Sequence, residues 1–382
     1  MNTLLETQLK RAKVAARLLK NMPTCTKNQA LEKIADALIA RSDEILEANK
    51  KDMAHAKEVN MTKAMQDRLL FTHERIVGVS DGVKKVATLP DPIGEVMESW
   101  TRPNGLKISK VRVPIGVFGI IYEARPNVTV DIASLCLKSG NACVLRGGKE
   151  VDHAIVGELI HANEYVDVIV PRGGAGLIQF VVKNATVPVI ETGAGICHLY
   201  VDKDADLNKA LTIAVNAKIQ RPSVCNAIET ILVHKDVADK FLPELKKAFE
   251  KVEIKGDDAA CQIIHCEHVT DDSYATEYDD YIVNIRVVNS VEEAINHIYT
   301  YSTKHSESII TENDETAALF MNSLDSACVY HNASTRFSDG GEFGFGAELG
   351  ISTQKLHARG PLGLKEMCSY QYKIEGNGQI RE

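Results

Sequence analysis

The chain has 382 residues, of which 45% are hydrophobic and 25% charged, and its formal net charge is -8 at pH 7. This length exceeds what one core usually fills, so the sequence predicts a globular protein of at least two domains. The negative charge gives no electrostatic reason to expect a nucleic-acid partner, and no apolar run reaches the ~18 residues of a membrane span.

The first ninety residues carry the spacing of helices. Leucines and alanines between residues 4 and 19 recur on one helical face with Lys and Arg between them. This pattern predicts an amphipathic surface helix and lacks the continuous apolar core of a signal peptide. Nine cysteines that never form a C-x-x-C pair favour reduced thiols, and therefore the cytoplasm.

A hairpin and two α/β regions follow the helices. Asn104-Gly105, with apolar residues alternating on both sides, predicts a protruding hairpin at about 98–112. Short apolar runs then alternate with helices, which is typical of doubly wound α/β sheets. We expect strands at 115–122, 142–145, 167–170, 227–233, 284–288 and 327–332, helices at 128–139 and 291–297, and irregular surface at 255–281.

The stretch RPSVCNAIET contains a candidate nucleophile, Cys225. A reactive cysteine needs a lowered pKa, which nearby cations provide, and Lys218 and Arg221 precede this one. Asn226 follows it, and a predicted strand begins just after. On spacing alone a structural cysteine is the more common alternative, so these residues leave both interpretations open.

Three further motifs follow predicted strands. In EARPN, Asn127 and the backbone N–H groups at the start of a helix are expected to point into a cleft. The alternative is that this segment is an ordinary strand-to-helix turn stiffened by Pro126. The glycine turn 171–176, PRGGAG, suits a pyrophosphate but is not the G-x-G-x-x-G fingerprint. Lys149 in RGGKE is expected either to contact a ribose or phosphate of a ligand or to be an ordinary solvated lysine. The segment 344–350 is expected to be a loop.

The segment from Cys261 to His268 offers two thiols and two imidazoles. Their spacing matches no usual closed zinc site, so polar surface is the preferred interpretation and no metal is expected.

Long segments of the chain resemble gamma-glutamyl phosphate reductases, also called glutamate-5-semialdehyde dehydrogenases, of the aldehyde dehydrogenase superfamily. The resemblance covers nearly the whole chain. It rests on IGVFGIIYEARPNVTVDIASLCLKSGNACVLRGGKE, VDVIVPRGGAGL, PVIETGAGICHLYVD, NAKIQRPSVCNAIETILV and VYHNASTRFSDGGEFGFGAELGISTQKLHARGPLGL.

The resemblance implies an aldehyde dehydrogenase-like α/β fold with two doubly wound domains and a small oligomerisation hairpin. It places a dinucleotide-binding domain at 1–97 and 113–195, a catalytic domain at 196–358, and oligomerisation elements at 98–112 and 359–382. A dimer or larger homo-oligomer is therefore expected. No kinase domain precedes the reductase region, so a separate glutamate 5-kinase is the expected functional partner.

The implied reaction is reduction of L-glutamyl 5-phosphate to L-glutamate 5-semialdehyde by NADPH, through a cysteine thioester, in the second step of proline biosynthesis. Cys225 takes the position of the nucleophile, and Asn127 that of the oxyanion-hole amide. Glu191 stands where hydrolytic relatives keep a general base, and a proton-handling role and a structural carboxylate both remain open.

The resemblance also carries over binding residues. The cofactor residues are Lys149 for the adenosine ribose or its 2′-phosphate, Arg172, Gly173, Gly174 and Gly176 for the pyrophosphate, and Glu342 and Phe343 near the nicotinamide. The substrate residues are Arg125, Arg221 and Arg336, with Lys218, His357 and Arg359 as weaker candidates.

One region departs from the family. Only twenty residues separate Glu150 from Pro171, which is room for one helix and one strand where relatives carry two of each. The cofactor domain is therefore expected to be shortened after Glu150. This leaves a working enzyme with altered cofactor binding, a non-catalytic relative with the same fold, or a truncated gene model or splice form as alternatives. A cysteine hydrolase gains little support, because no histidine lies in the motif around Cys225.

Overall fold

The computed structural model of the chain describes residues 2–61, 63–123, 126–147 and 153–381. It divides into two compact units. Unit 1 comprises Met1–Thr192, Gly344–Gly350 and Pro361–Glu382, and unit 2 comprises Gly193–Phe343 and Ile351–Gly360. No helix in these described ranges is both long and apolar enough to cross a membrane.

The α-helices of the described residues are α1 (Thr3–Leu19), α2 (Thr24–Ala40), α3 (Ser42–Glu58), α4 (Lys63–Leu69), α5 (His73–Thr88), α6 (Pro126–Lys138), α7 (His153–Ile160), α8 (Ala175–Asn184), α9 (Leu207–Ile219), α10 (Lys235–Ala248), α11 (Asp258–Ile264), α12 (Asp271–Tyr274), α13 (Val291–Tyr301) and α14 (Asp314–Ser323). A short 3-10 helix spans Thr335–Phe337.

The strands of the same residues are β1 (Val96–Thr101), β2 (Lys107–Pro114), β3 (Val117–Tyr122), β4 (Ala142–Gly147), β5 (Val168–Arg172), β6 (Cys197–Val201), β7 (Ile228–His234), β8 (Glu253–Gly256), β9 (Glu267–His268), β10 (Ile282–Val288), β11 (Ser306–Ile310), β12 (Cys328–His331), β13 (Ile351–Ser352), β14 (Gly360–Pro361) and β15 (Cys368–Glu375).

Unit 1 contains a parallel sheet in the order β4-β3-β5. The central strand β3 is apolar throughout and buried from Val117 to Ile121, as parallel strands covered on both faces usually are. Its core includes Leu9 of α1, Leu159 of α7 and Val181 of α8. The expected strands at 115–122, 142–145 and 167–170 are confirmed.

In the described part of the chain, β4 pairs only with β3 and is an edge strand. A single helix, α7, precedes β5 in the described part of the connection. One helix and one strand therefore occupy the part of this stretch that the structure describes, in agreement with the residue count. The shortening of this cofactor domain relative to its family stays a prediction.

The predicted hairpin is present in unit 1. Strands β1 and β2 pair antiparallel around the Asn104-Gly105 turn, in which Gly105 has a φ of +86°. A positive φ favours glycine, which explains the Asn-Gly sequence. Strand β15 adds to β2 over eight paired positions, from Cys368–Pro114 to Glu375–Lys107. The role of this sheet in oligomerisation stays a prediction.

Unit 2 is built on a parallel sheet in the order β12-β11-β6-β7-β10-β8-β9. Strand β7 is buried at every position, and its inward residues pack with Phe241 of α10 and Ala214 of α9. The second α/β domain is thus confirmed as a fold, and the helix expected at 291–297 is α13.

The prediction of irregular surface at 255–281 was wrong. Helices α11 and α12 lie in this segment. Asp257 caps α11 by accepting from the Ala260 N–H, and Thr270 forms a capping box with Ser273. These caps satisfy free N–H groups of short helices that have little apolar periodicity to reveal them.

Candidate active site

Cys225 lies in a turn of unit 2 between the end of α9 and the start of β7. The turn is closed by the Ala227 N–H, which donates to the Val224 carbonyl at 2.9 Å. Cys225 is half-buried. A half-buried cysteine in a turn that leads into a buried strand has a fixed backbone without being fully enclosed, which suits a nucleophile.

The carbonyl of Cys225 is fixed by a second cysteine. The thiol of Cys197, at the start of β6, donates to this carbonyl at 3.2 Å. Cys197 is fully buried, and burial raises the pKa of its thiol well above the usual value. The Cys197 thiol therefore stays protonated and acts as a donor rather than as a competing nucleophile.

Asn226 ties the turn to the segment that follows β12. Its amide nitrogen donates to the carbonyls of Ser338, at 2.9 Å, and Arg336, at 3.3 Å. In return, the hydroxyl of Thr335 donates to the Asn226 carbonyl at 2.7 Å. Because Asn226 is only 4% exposed, these bonds are shielded from water and hold the turn firmly.

One predicted substrate residue, Arg336, interacts electrostatically with Cys225, and a second, Arg221, lies near Arg336. Burial lowers the pKa of Arg336, the Cys225 sulfur opposes this shift, and the charge of Arg221 adds to it. Arg336 also donates to the side chain of Gln220 at 2.7 Å. A guanidinium beside a thiol favours the thiolate, and two of them offer a phosphate or carboxylate its counter-charges.

Lys218 is not available to a substrate. It is fully buried at the end of α9, and its ammonium lies 2.8 Å from Glu229 of β7. Burial raises the pKa of the Glu229 carboxyl to about 8, and the charge of Lys218 opposes this shift. The sequence could place Lys218 near Cys225 but could not show that a carboxyl on the next strand faces it.

The other weaker candidates differ in their surroundings. Arg359 donates to the carboxylate of Asp325 at 3.0 Å and to its carbonyl at 2.9 Å, which is a structural ion pair. His357 is exposed and has a φ of +73°.

In unit 1, Asn127 lies in the first turn of α6, where its amide donates to Asp131 at 2.9 Å. Burial raises the pKa of Asp131, while this hydrogen bond and the charge of Arg172 lower it. An amide nitrogen carries two hydrogens, so this bond orients Asn127 and leaves one hydrogen for another acceptor.

The glycine turn of the predicted pyrophosphate site holds a carboxylate. The Gly174 N–H, at the N-cap of α8, donates to Glu123 at 3.0 Å. A Cβ on Gly173 would lie 2.6 Å from the same oxygen, so the glycine lets Glu123 approach. Gly176 has open space around it. An entering anion must displace Glu123, because both compete for the N–H groups at the start of the helix.

Arg172 is the cation of this turn. It ends β5, and its Nε is buried without a hydrogen-bond partner among the described residues. A Cβ on Gly350 would lie 2.2 Å from the Arg172 Nη1, so Gly350 makes the space that the guanidinium occupies. The positive charge of this guanidinium, at the strand end that leads into the glycine turn, suits the phosphates of a dinucleotide, whereas the charge of Glu123 opposes them.

Glu191 follows the Val189 bridge to β5 in unit 1 and is half-buried. Glu342 and Phe343 lie in a turn of unit 2, where both of their N–H groups donate to Asp339. Phe343 is 41% exposed. Lys149 and Arg125 lie outside the described residues.

The thiols of Cys261 and Cys266 lie 2.9 Å apart, but no group of three or more metal-binding side chains occurs in the part of the chain that the structure describes.

Sequence reasoning missed the residues that support the site from neighbouring strands, namely Cys197, Glu123 and Glu229. Cys197 lies 28 residues before Cys225, and Glu123 lies 51 residues before Gly174. No local spacing rule connects residues this far apart. The one available signal was the position of Cys197 and Glu123 inside segments that resemble the family.

Comparisons with known proteins identify relatives of the chain. Residues 150–271 match the aldehyde dehydrogenase family. The gamma-glutamyl phosphate reductase of Moorella thermoacetica is 52% identical over 418 aligned residues that cover 100% of both chains. These aligned residues outnumber the 382 of this chain, so that relative carries residues that this chain lacks.

Solved structures of similar fold include the following two. The crystal structure of gamma-glutamyl phosphate reductase from Thermotoga maritima has a TM-score of 0.95 at 46% identity, covering 99% of this chain and 100% of the other. An acetylating aldehyde dehydrogenase from Geobacillus thermoglucosidasius has a TM-score of 0.68 at 15% identity, covering 99% and 98%, and shows a shared fold.

Proposed function

We propose a reaction for this chain on the ground that it belongs to the gamma-glutamyl phosphate reductase family, a group of aldehyde dehydrogenase-type oxidoreductases. The protein reduces L-glutamyl 5-phosphate to L-glutamate 5-semialdehyde with NADPH and releases phosphate. This is the second step of proline biosynthesis from glutamate. The observation that carries the proposal is the Cys225 turn, whose thiol interacts electrostatically with Arg336 while Cys197 and Asn226 hold its backbone; Arg221 in turn lies near Arg336.

The first step is attack of the Cys225 thiolate on the acyl phosphate. The sulfur–carbon bond forms, the bond from carbon to the phosphate oxygen breaks, and phosphate leaves with both electrons of that bond. Arg336 and Arg221 favour the thiolate and offer counter-charges to the phosphate. Asn127 and the backbone N–H of Cys225 are the proposed donors to the developing oxyanion.

The chemistry that NADPH supplies when bound is a hydride for the thioester carbonyl. Arg172 and the turn at Gly173, Gly174 and Gly176 are the proposed contacts for its pyrophosphate, with Lys149 toward the ribose and Glu342 and Phe343 toward the nicotinamide. Cys225 then leaves as a thiolate when the aldehyde forms, and the same arginines stabilise it. Glu191 is assigned a proton-handling role on the resemblance alone, against the alternative of a structural carboxylate.

The reaction is tested in reverse, with L-glutamate 5-semialdehyde, phosphate and NADP, by following NADPH absorbance. Loss of turnover in Cys225→Ser supports the proposal, provided that turnover persists in the control Cys25→Ser. Cys25 is an exposed cysteine on α2. A folded wild-type protein with no turnover in either direction contradicts it.

A cofactor-impaired or non-catalytic relative is the second candidate. It is favoured by the edge position of β4 and by Glu123 at the start of α8. Titration of NADPH against intrinsic fluorescence separates the two candidates, because tight binding argues against the second.

Further features of the proposal come from the resemblance. The chain forms a homo-oligomer through the elements at 98–112 and 359–382, and a separate glutamate 5-kinase supplies its labile acyl phosphate. Reduced cysteines favour the cytoplasm as its compartment. Cross-linking and sedimentation of the purified protein test the oligomer.

A further inference from the structure

A cavity of about 520 Å³ lies along the free edge of β4. Residues 142–145 of β4 all line it, together with Arg11 and Ala15 of α1 and Leu137 of α6. Successive strand residues point to opposite faces of a sheet, so a cavity that touches four in a row follows the strand edge. The cavity is open to solvent beside α1 because, in the described residues, no strand pairs with this edge of β4.

Two thiols line this cavity. Cys143 lies on β4 and is half-buried, and Cys136 lies in the last turns of α6 and is 1% exposed. The two thiols interact, and each shifts the pKa of the other. The cavity is therefore bordered by a half-buried cysteine, Cys143, and by an almost fully buried one, Cys136, with which it interacts.

We propose that Cys143 and Cys136 form an oxidisable dithiol, in which hydrogen peroxide entering the cavity converts the pair to a disulfide. The Cys143 thiolate attacks one peroxide oxygen, so that an S–O bond forms, the O–O bond breaks and hydroxide leaves to take up a proton. The Cys136 sulfur then attacks the Cys143 sulfenic acid, the S–S bond forms and water leaves. Two thiols are oxidised, and one peroxide is reduced to two waters.

The electrostatics of the pair agree with this division of roles. The interaction with Cys136 lowers the pKa of Cys143, although burial opposes the shift. Burial raises the pKa of Cys136 well above its usual value. An accessible thiol with a lowered pKa beside a resolving thiol is the pattern of cysteines that react with peroxides.

A second thiol pair provides an internal comparison. Cys261 and Cys266 lie 2.9 Å apart, but carbonyl oxygens of Gly256 and Cys266 surround the Cys261 thiol. Burial raises the pKa of Cys266 to about 12. Proximity alone predicts that this pair oxidises first, whereas the proposal predicts that it oxidises at least about tenfold more slowly at neutral pH.

Tryptic peptides separate the two pairs. Cleavage after Arg112, Lys138 and Arg146 places Cys136 on peptide 113–138 and Cys143 on peptide 139–146. The first peptide stays whole because Pro126 blocks cleavage at Arg125. Both Cys261 and Cys266 fall on peptide 256–286. A Cys136–Cys143 disulfide therefore appears as two linked peptides whose joint mass is smaller by two hydrogens.

The experiment treats the reduced, full-length protein with hydrogen peroxide at neutral pH, blocks the remaining thiols with an alkylating agent and follows the peptides by mass spectrometry. We expect the linked pair in wild type and in Cys261→Ser/Cys266→Ser, its loss in Cys143→Ser, and a dimedone-trapped sulfenic acid at Cys143 in Cys136→Ser. Circular dichroism establishes that each variant is folded. Oxidation of Cys261 and Cys266 before the linked peptides form, or a sulfenic acid at Cys143 that never proceeds to the link in wild type, overturns the proposal.

Discussion

Gly195 packs directly against the backbone of Cys225. A Cβ at position 195 would stand 1.5 Å from the Cys225 carbonyl oxygen and 2.7 Å from its Cα. The Gly195 N–H meanwhile donates to Glu277 at 2.8 Å, so residue 195 has little freedom to move away. The position of the proposed nucleophile therefore depends on the absence of a side chain thirty residues earlier in the chain.

Gly195→Ala is expected to lower turnover by about 100-fold or more, since the added methyl group forces the Cys225 turn to shift and a displacement of ~1 Å is enough for such a loss. Gly82→Ala is the matched control. Gly82 lies inside α5 with open space around it, so alanine there should stabilise the protein by ~1 kcal/mol and leave activity intact. Turnover assays and thermal unfolding of both variants check this, and a fully active Gly195→Ala enzyme would contradict it.

The Lys218–Glu229 pair should be more important for folding than for substrate binding. Lys218→Met leaves the Glu229 carboxyl buried without its partner and is expected to reduce the free energy of unfolding by roughly 3–5 kcal/mol. Lys218→Met/Glu229→Leu removes both polar groups and should recover most of this loss. Urea unfolding of the single and double variants measures the coupling. If Lys218→Met raised KM for the phosphorylated substrate without any loss of stability, Lys218 would be a substrate residue after all.

Glu229 also predicts how stability changes with pH. Its folded-state pKa of about 8 lies above the ordinary value of 4.5, so the folded protein binds the proton more tightly than the unfolded chain. This group stabilises the fold fully below about pH 4.5, and its contribution falls as pH rises to about 8, by at most ~1.4 kcal/mol per pH unit. Urea unfolding across this range should show a shallower decline in Lys218→Met/Glu229→Leu than in wild type. Parallel profiles for the two proteins would refute the assignment.

Arg336 should set the reactivity of Cys225. Arg336→Gln removes a cation beside the sulfur and is expected to raise the thiol pKa by about one unit, which slows iodoacetamide alkylation near neutral pH by about tenfold. Gln220→Ala, which removes only the hydrogen-bond partner of Arg336, should leave the alkylation profile near that of wild type. An unchanged pH midpoint in Arg336→Gln would show that the guanidinium does not act on the thiol.

The turn at the start of α8 predicts opposite effects of two nearby substitutions. Arg172→Ala should weaken NADPH binding by about 10- to 100-fold, because a charge-assisted hydrogen bond to phosphate is worth ~1.5–3 kcal/mol. Glu123→Gln should tighten binding, since it removes a negative charge that competes for the Gly174 N–H. Arg41→Ala, at an exposed pair with Glu44, serves as the control. Fluorescence titration measures all three, and equal affinities in wild type and Arg172→Ala would place the pyrophosphate elsewhere.

Local pattern was enough to predict much of this fold. The apolar runs of β3 and β7 and the amphipathic face of α1 follow directly from the periodicity of their own residues. Helices α11 and α12 escaped prediction because capping by Asp257 and Thr270 stabilises them, and apolar spacing does not reveal such short helices.

The site was predictable only in part, for a related reason. Cys225 and Asn127 stand in contiguous motifs, which is why the sequence alone could propose them as site residues. The Lys218–Glu229 pair and the Glu123 contact with α8 form across the sheets and depend on the register of neighbouring strands. The sequence of one segment does not specify which side chain of another will face it.

The pairing of β2 with β15 also has a consequence for how this chain folds while it is being translated. These strands lie next to each other in unit 1, yet more than 250 residues separate Pro114 from its partner Cys368. The continuous segment 193–343 of unit 2 leaves the ribosome in one piece between them. Because domains tend to fold as they are synthesised, unit 2 can complete most of its core while the β1-β2 hairpin still lacks its third strand. Nascent chains of this protein should therefore keep one edge of β2 exposed to chaperones until residue 375 has emerged.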